Sequence, residues 1–222
     1  MHATSSANAP NLGSRKRLFM MFLLGLEMFY TRESLLVKYK VAERALTHKL
    51  AEYLQMLFCG YNVDCEYNKV GDGEPKRVEA LVAKMRKVQK MQQGNKCNGD
   101  CNNCTPNKCV VFPDIIVHRR GKDRNLLVVE AKTEWGGASQ NEDFEKLKAL
   151  TTSTDYKYQL GVGFRFCETL EATIKTIIVF MKPDIEIRAP VISGFCRFRF
   201  SEIAERILKK GKWNNRQKGD II

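Results

Sequence analysis

The sequence of 222 residues has no apolar run long enough to cross a bilayer as a helix. The longest run, Leu18 to Leu26, ends at Glu27, whereas a membrane span needs about 20 apolar residues. Basic residues at Arg15 to Arg17 precede the run, as in a signal peptide, but no small-residue cleavage site follows it. We therefore expect no membrane association and a cytoplasmic location. The segment Leu18 to Phe29 is expected to be a helix that is buried or covered by a second copy or another protein.

Other common signatures are also missing. Histidine occurs only three times, and neither a Ser/His/Asp nor a Cys/His nucleophile pattern is present. No phosphate-binding loop, dinucleotide fingerprint or internal repeat occurs. The 44% apolar fraction excludes disordered, collagen-like and coiled-coil classes. Acidic residues are in deficit, 25 against 37 Lys and Arg, so the net charge of +12 indicates a polyanionic partner.

Hydrophobic periodicity predicts a mixed α/β fold after a disordered tail at 1–14, with one domain over 15–222. The predicted helices are Ser34–Phe58, Val78–Gln92, Asn141–Leu150 and a last helix that begins at Ser201. The predicted strands are Tyr61–Tyr67, Val110–Val117, Leu126–Lys132, Tyr156–Phe166, Thr173–Phe180 and Phe195–Phe200. His118 to Asn125 is predicted to be a basic, solvated hairpin turn that starts with His118.

One pair of strands carries a pattern typical of phosphodiester hydrolysis. Glu130 and Lys132 are two residues apart in a strand and so point to the same face, and the hairpin places Asp114 beside them. Two carboxylates suit Mg²⁺, which lowers the pKa of a bound water, while the Lys132 amine orients that water or stabilises developing charge. Glu43 lies on the apolar stripe of its helix and is expected to join as a third carboxylate or base. The alternative is a surface ion pair between Glu130 and Lys132.

These residues, Pro113-Asp114 and Glu130-Ala131-Lys132 with Glu43 on the preceding helix, resemble the PD-(D/E)xK nuclease superfamily. The segments ERALTHKLAEYL, VFPDIIVHRRG and NLLVVEAK are similar to bacterial domains of that superfamily without assigned function. The resemblance covers roughly residues 30 to 166. It implies a restriction-endonuclease-like αβββαβ core, dependence on Mg²⁺ or Mn²⁺ and phosphodiester hydrolysis. It also implies metal binding by Asp114 and Glu130, a catalytic Lys132 and an assisting Glu43.

Eight cysteines are many for this length, and half of them lie in a polar loop at 94–109. Cys97, Cys101, Cys104 and Cys109 have a spacing with which four thiolates can reach one structural Zn²⁺. Zinc is favoured over an iron–sulfur cluster, and free or disulfide-linked thiols are the third alternative. The remaining cysteines lie among apolar residues and are expected to be buried: Cys59, Cys65, Cys167 and Cys196.

Basic residues concentrate in three segments that could contact phosphates. Lys76 to Lys96 contains seven Lys and Arg against one acid, and the predicted turn and the C-terminal segment add more. The expected contacts are Lys84, Lys87, Lys90, Arg119 and Arg120. We expect a nuclease in defence or mobile-element processing, with DNA favoured over RNA. The alternative is a catalytically inactive, zinc-stabilised nucleic-acid-binding module.

Overall fold

The computed structural model describes residues 12–70, 74–78, 104–105, 108–137, 141–182 and 185–188. The helices are α1 (Leu12–Lys38), α2 (Glu43–Leu57), α3 (Asn141–Thr152) and α4 (Leu170–Lys175). The first six strands are β1 (Asn62–Cys65), β2 (Lys69–Val70), β3 (Glu74–Pro75), β4 (Arg77–Val78), β5 (Cys104–Thr105) and β6 (Lys108–Val110). The others are β7 (Ile115–Arg119), β8 (Arg124–Thr133), β9 (Leu160–Phe166), β10 (Ile178–Met181) and β11 (Ile185–Arg188).

A mixed sheet organises the fold, with strand order β1-β7-β8-β9-β10-β11. All its pairs are antiparallel except β8 and β9, which run parallel and are joined through α3. The predicted mixed α/β architecture, a sheet flanked by helices, is therefore confirmed. In chain order, the elements around the predicted motif are α2, β1, β7, β8, α3 and β9.

Strand β8 shows why the sheet is covered on both faces. Leu127, Val129 and Ala131 are fully buried in the cluster that contains α1 and α2. Val128, which points the other way, is buried with the apolar side chains of α3. A strand that is covered on both sides needs apolar residues at successive positions, and β8 has them.

Helix α1 is part of the core rather than a tail or a membrane span. It begins at Leu12, so the predicted disordered tail extends too far and includes helical residues. Its side chains Phe22 and Phe29 are fully buried and contact the rings of Phe164 and Phe166 on β9. None of the helices in the described ranges is long and apolar enough to span a membrane. The segment Leu18 to Phe29 is thus covered by its own chain, while contact of this region with a second copy or partner remains a prediction.

The helix predicted over Ser34–Phe58 is two helices. Helix α1 ends at Lys38, Lys40 has a left-handed backbone with φ of 50°, and α2 begins at Glu43. Left-handed backbone ends a helix because its hydrogen-bond ladder cannot continue through it. The predicted apolar stripe of α2 is confirmed at Leu46, Leu50 and Leu54, which are fully buried, and Leu57 is partly buried.

β1 is shorter than the predicted strand Tyr61–Tyr67, β8 is longer than Leu126–Lys132, and three other predicted strands differ more. The strand Val110–Val117 is interrupted, because β6 ends at Val110 and β7 begins at Ile115, with Pro113 unable to donate a ladder hydrogen bond. The strand Tyr156–Phe166 begins only at Leu160. The prediction Thr173–Phe180 was wrong in its first half, where the Thr169 side chain caps the short helix α4.

Several predicted elements fall partly or wholly outside the described residues. Val78 pairs with Cys109 between β4 and β6, so the helix predicted over Val78–Gln92 does not begin at Val78. Its other residues lie outside the described ranges, as do the strand Phe195–Phe200 and the last helix. The single domain over 15–222 stays a prediction.

Candidate active site

The ends of β7 and β8 bring the three motif residues together. Ile115 pairs with Val129, so the antiparallel register continues to place Asp114 beside Glu130. The Asp114 carboxylate confirms this closeness, because its Oδ2 accepts a hydrogen bond of 2.7 Å from the backbone N–H of Ala131. Burial raises the pKa of Asp114 above its ordinary value, although the Ala131 hydrogen bond opposes the shift. Local strand geometry thus sets two carboxylates side by side.

Glu130 is the most buried carboxylate of the site, with 1% of its surface exposed. Its Oε2 lies 2.8 Å from the Nζ of Lys146, whereas Oε1 is buried with no hydrogen-bond partner. Burial, and then the charge of Asp114, raise the pKa of Glu130 well above its ordinary value. A carboxylate oxygen buried without a partner is costly, and it marks a position where a cation or donor would stabilise the protein.

Glu43 begins α2 and holds the motif lysine. Its Oε1 lies 3.1 Å from the Nζ of Lys132, and its Oε2 accepts a hydrogen bond from the backbone N–H of Thr133 at 3.1 Å. Burial alone would lower the pKa of Lys132, but Asp143 and Glu43 outweigh it and raise that pKa. Lys132 is therefore an ammonium at neutral pH. Both carboxylate oxygens of Glu43 are bound within the protein, so Glu43 anchors the Lys132 ammonium.

Helix α3 adds two residues that the sequence analysis missed, Asp143 and Lys146. The Nζ of Lys146 is 2.9 Å from Asp143 Oδ1, and the Nζ of Lys132 is 3.3 Å from Asp143 Oδ2. The available signal was their position: Asp143 precedes Leu147 by four residues, and Lys146 precedes Leu150 by four. Because both leucines are buried, the two charges lie on the core-facing side of the helix.

These side chains form one network, here named the charged cluster: Glu43, Asp114, Glu130, Lys132, Asp143 and Lys146. Ion pairs alternate in sign from Glu130 through Lys146, Asp143 and Lys132 to Glu43. With four carboxylates and two ammonium groups, its formal charge is −2 when every group is ionised. Burying an uncompensated charge of this size is unfavourable, and one divalent cation would neutralise it.

The donor chemistry of the charged cluster fits a hard cation. Glu130 Oε1 is buried with no hydrogen-bond partner, and Asp143 Oδ2 is buried with the Lys132 ammonium 3.3 Å away. Carboxylate oxygens are the ligands that Mg²⁺ prefers. Within the described ranges, no three His, Cys, Asp or Glu side chains are arranged so that they alone could enclose a metal. A cation held by the neighbouring Asp114 and Glu130 would therefore keep several waters, as Mg²⁺ usually does.

The basic turn lies far from the charged cluster. Arg119 and Arg124 pair at one end of the β7–β8 hairpin, and Lys132 lies eight residues along β8, about 27 Å away at strand spacing. Arg120 pairs with Asp64 through two nitrogens, one of them at 2.9 Å. Arg119 donates to the Gly60 carbonyl at 3.2 Å and lies 5.0 Å from the ring centre of Tyr61. Neither arginine is brought to the candidate site. The other predicted contacts, Lys84, Lys87 and Lys90, lie outside the described residues.

His118 is not the solvated turn residue that the sequence predicted. It belongs to β7, is 4% exposed, and its Nε2 lies 2.8 Å from Asp64 Oδ2. Burial lowers the pKa of His118, although the Asp64 carboxylate opposes the shift. The prediction failed because the turn begins only at Arg120, two residues later, and the His118 side chain is buried beside Asp64.

A buried lysine, Lys76, lies in the same region as Asp64. Its Nζ donates to the carbonyls of Tyr67 at 3.2 Å and Lys69 at 2.7 Å, and it lies 4.8 Å from the centre of the Tyr67 ring. Its side chain is fully buried, and this burial lowers the pKa of Lys76 to about 8. The Lys76 ammonium therefore links backbone carbonyls around β2 and β3, although burial disfavours its charged form.

Replacement of Lys76 by Met is expected to change how stability depends on pH. Because the folded-state pKa is about 8 and the unfolded value 10.5, the unfolded chain binds more protons between these values. The free energy of unfolding of the native protein should therefore rise across this window relative to Lys76→Met, by at most about 1.4 kcal/mol per pH unit. Urea denaturation from pH 7.5 to 10 measures the difference. Lys157→Met, at an exposed lysine, is the control, and a constant difference between native protein and Lys76→Met contradicts the prediction.

Two of the four clustered cysteines are cross-strand partners. Cys104 on β5 lies opposite Cys109 on β6 in the register of the hairpin, while Cys97 and Cys101 lie outside the described residues. Antiparallel partners have Cα atoms about 4.5–5.5 Å apart, a separation at which two thiolates can share one ion.

The remaining cysteines differ in their surroundings. Cys167 is buried, as predicted, whereas Cys65 is only partly buried. Cys59 is exposed, so its predicted burial was wrong: it follows the end of α2, where the chain turns at the surface. Cys196 is outside the described ranges.

The charged cluster is thus assembled from α2, β7, β8 and α3 at one end of the sheet. The likeness to the PD-(D/E)xK superfamily is a resemblance of motifs, carried by residues that this geometry places together. The chain matches no protein-family model, no curated protein and no solved structure.

Proposed function

We propose that this protein is a metal-dependent nuclease of the PD-(D/E)xK type, with DNA as the favoured substrate over RNA. One observation carries the proposal: Asp114, Glu130 and Lys132 meet in a cluster that has a formal charge of −2 and a buried carboxylate oxygen without a partner. The proposal also draws on the element order α2-β1-β7-β8-α3-β9, which, with β2 to β6 set aside, is the succession expected of the αβββαβ core that the resemblance implies.

Asp114 and Glu130 would hold the divalent cation, Mg²⁺ or Mn²⁺. When bound, such a cation lowers the pKa of the attacking water and compensates charge on the phosphodiester. The two carboxylates come from neighbouring strands, and the Ala131 N–H orients Asp114. Because burial raises the pKa of both groups, they are disposed to accept positive charge.

Lys132 would supply positive charge to the reacting phosphate. Its raised pKa makes it a poor base and a stable hydrogen-bond donor to an oxygen that gains negative charge in the transition state. Glu43 and Asp143 hold its ammonium at 3.1 and 3.3 Å, which fixes it before substrate arrives. Glu43 is thus proposed as a positioning residue for Lys132 rather than as a base.

A nucleic-acid substrate agrees with the net charge of +12. Arg119 and Arg120 would contact the nucleic acid only far from the charged cluster. About 27 Å of strand separates them from it, which corresponds to roughly eight base pairs of duplex. Lys84, Lys87 and Lys90 remain proposed phosphate contacts. A role in defence or mobile-element processing is also proposed, and its support is the resemblance to the PD-(D/E)xK superfamily.

Cleavage assays test the proposal directly. Plasmid and linear DNA and RNA are incubated with the protein in Mg²⁺, Mn²⁺ or EDTA. We expect cleavage with either ion and none in EDTA. Lys132→Met should lower the rate by about 10²-fold or more, the effect of losing one group that stabilises transition-state charge. Lys122→Met, at an exposed position of the distant turn, is the matched control. Full activity in EDTA, or equal rates for Lys132→Met and the control, contradicts the proposal.

A second candidate is a zinc-stabilised nucleic-acid-binding module without hydrolytic activity. The cross-strand pairing of Cys104 and Cys109 favours it, and Cys97 and Cys101 would complete four thiolate ligands. It predicts one zinc per chain and DNA binding that is sensitive to salt but unaffected by removal of Mg²⁺. Metal analysis together with the cleavage assays distinguishes it from the nuclease, because the module yields no product with any divalent ion.

A further inference from the structure

The Lys146 side chain places a positive charge directly beside carboxylates that would hold a metal. Its Nζ lies 2.8 Å from Glu130 Oε2 and 2.9 Å from Asp143 Oδ1, and its side chain is 17% exposed. The charges of Glu130 and Asp143 raise the pKa of Lys146 and outweigh its burial. Its place among these carboxylates makes Lys146 a neighbour of any cation that Glu130 binds.

The Lys146 ammonium and a divalent cation cannot both contact the Glu130 carboxylate without unfavourable repulsion between them. A divalent cation on this carboxylate would lie within a few ångströms of the Lys146 ammonium, and like charges at such distances repel by several kcal/mol even at an effective dielectric constant of about 20. The buried Glu130 Oε1 has no hydrogen-bond partner, so one oxygen is open to a new ligand while Lys146 holds the other. Asp143 offers the ammonium a second anion on its own helix turn.

We propose that Lys146 is a resident counter-ion of Glu130 that opposes binding of the divalent cation, and that Asp143 retains the ammonium when the cation binds. This inference rests on the proposed metal-dependent function and deepens it. Lys146 is a positioning residue: its ammonium, 2.8 Å from Oε2, holds the Glu130 side chain in place when no metal is bound. The price of this arrangement is a weaker affinity for the cation.

The proposal makes opposite predictions for stability and for affinity. Without the Lys146 charge, the formal charge of the cluster changes from −2 to −3, so Mn²⁺ should bind more tightly, by about tenfold or more. The metal-free protein should melt at a lower temperature, because Glu130 and Asp143 lose their shared cation. A side chain that only orients Glu130 for the metal would give the reverse result, weaker binding in its absence.

Isothermal titration with Mn²⁺ and no nucleic acid, together with thermal melts in EDTA and in Mn²⁺, tests this. The variants are Lys146→Met and Lys146→Gln, the second of which keeps a hydrogen-bond donor for Glu130 and preserves the fold if the first does not. Lys146→Arg keeps the charge, and its affinity should remain within about twofold of the native value. Lys148→Met, at an exposed lysine of the same helix, is the matched control.

Tighter Mn²⁺ binding by Lys146→Gln or Lys146→Met, with a larger rise in melting temperature on adding Mn²⁺ than the native protein shows, supports the proposal. Equal or weaker binding by these variants overturns it and leaves the proposed nuclease intact. Absence of saturable Mn²⁺ binding by the native protein overturns the metal centre itself, and this result is recognised before any variant is measured.

Discussion

Asp114→Asn is expected to lower Mg²⁺-dependent cleavage by about 10²- to 10³-fold while the protein remains folded. The amide oxygen can still accept the hydrogen bond from Ala131 N–H, so the geometry at the end of β7 is preserved. The negative charge that would hold the cation beside Glu130 is lost, and several kcal/mol of transition-state charge stabilisation depend on such a cation. Initial rates at saturating Mg²⁺, measured for both proteins on the same DNA, give the ratio.

The same substitution should leave stability unchanged or raise it. Burial and the charge of Glu43 raise the pKa of Asp114, and the charge of Asp114 in turn raises the pKa of Glu130, so an ionised Asp114 is costly. Opposite effects on activity and stability are typical of functional residues. Asp123→Asn is the control, since Asp123 is exposed in the distant β7–β8 turn and the substitution removes the same charge. Cleavage by Asp114→Asn at the control's rate would falsify the metal-binding role of Asp114.

Phe22→Ala is expected to lower the free energy of unfolding by about 3–5 kcal/mol. Phe22 on α1 is fully buried and meets the ring of Phe164 edge-to-face, with ring centres 5.6 Å apart. Truncation removes that contact and leaves a cavity between helix and sheet, which the surrounding side chains fill only in part. Because whole domains are stable by only about 5–15 kcal/mol, the loss is a large fraction of the total. Denaturant unfolding monitored by circular dichroism measures it.

Leu24→Ala is the matched control on the same helix. Leu24 is 42% exposed, so its truncation should change the free energy of unfolding by about 0.5 kcal/mol or less. A loss below 1 kcal/mol for Phe22→Ala would show that α1 is not packed in the core as described. A large loss for Leu24→Ala would instead indicate that the exposed side of α1 is covered, as the predicted contact with a second copy requires.

Local patterns predicted much of the sheet and of the motif. The continuous apolar run at Leu126–Val129 located β8, and the leucine stripe located the buried side of α2. The convergence of Asp114, Glu130 and Lys132 was also predictable, because a hairpin and the two-residue period of a strand are local geometry. Predictions failed where neighbouring residues decided: Pro113 separates β6 from β7, and the cap at Thr169 starts α4 where a strand was predicted.

Longer-range contacts could not be predicted in this way. Asp143 and Lys146 join the cluster because α3 crosses the sheet between β8 and β9, and their separation from Glu130 in sequence carries no signal of contact. The sequence predicted His118 to be a turn residue, because it does not show that β1 brings Asp64 to the imidazole. The arginines of the basic turn were predicted to contact phosphates, and only the structure shows that the length of β8 separates them from the motif.

The sequence by itself determined the features that depend on neighbouring residues: the strand and helix patterns, the excess of positive charge and the pairing of Asp114 with Glu130. Only the tertiary structure decided which of these charges are buried and what they meet. Glu43 reaches Lys132 across 89 positions of sequence, and Lys146 reaches Glu130 from another element. The physical reason is that desolvation and ion pairing depend on whatever packs nearby in space, so the properties of the site arise when helices close over the sheet.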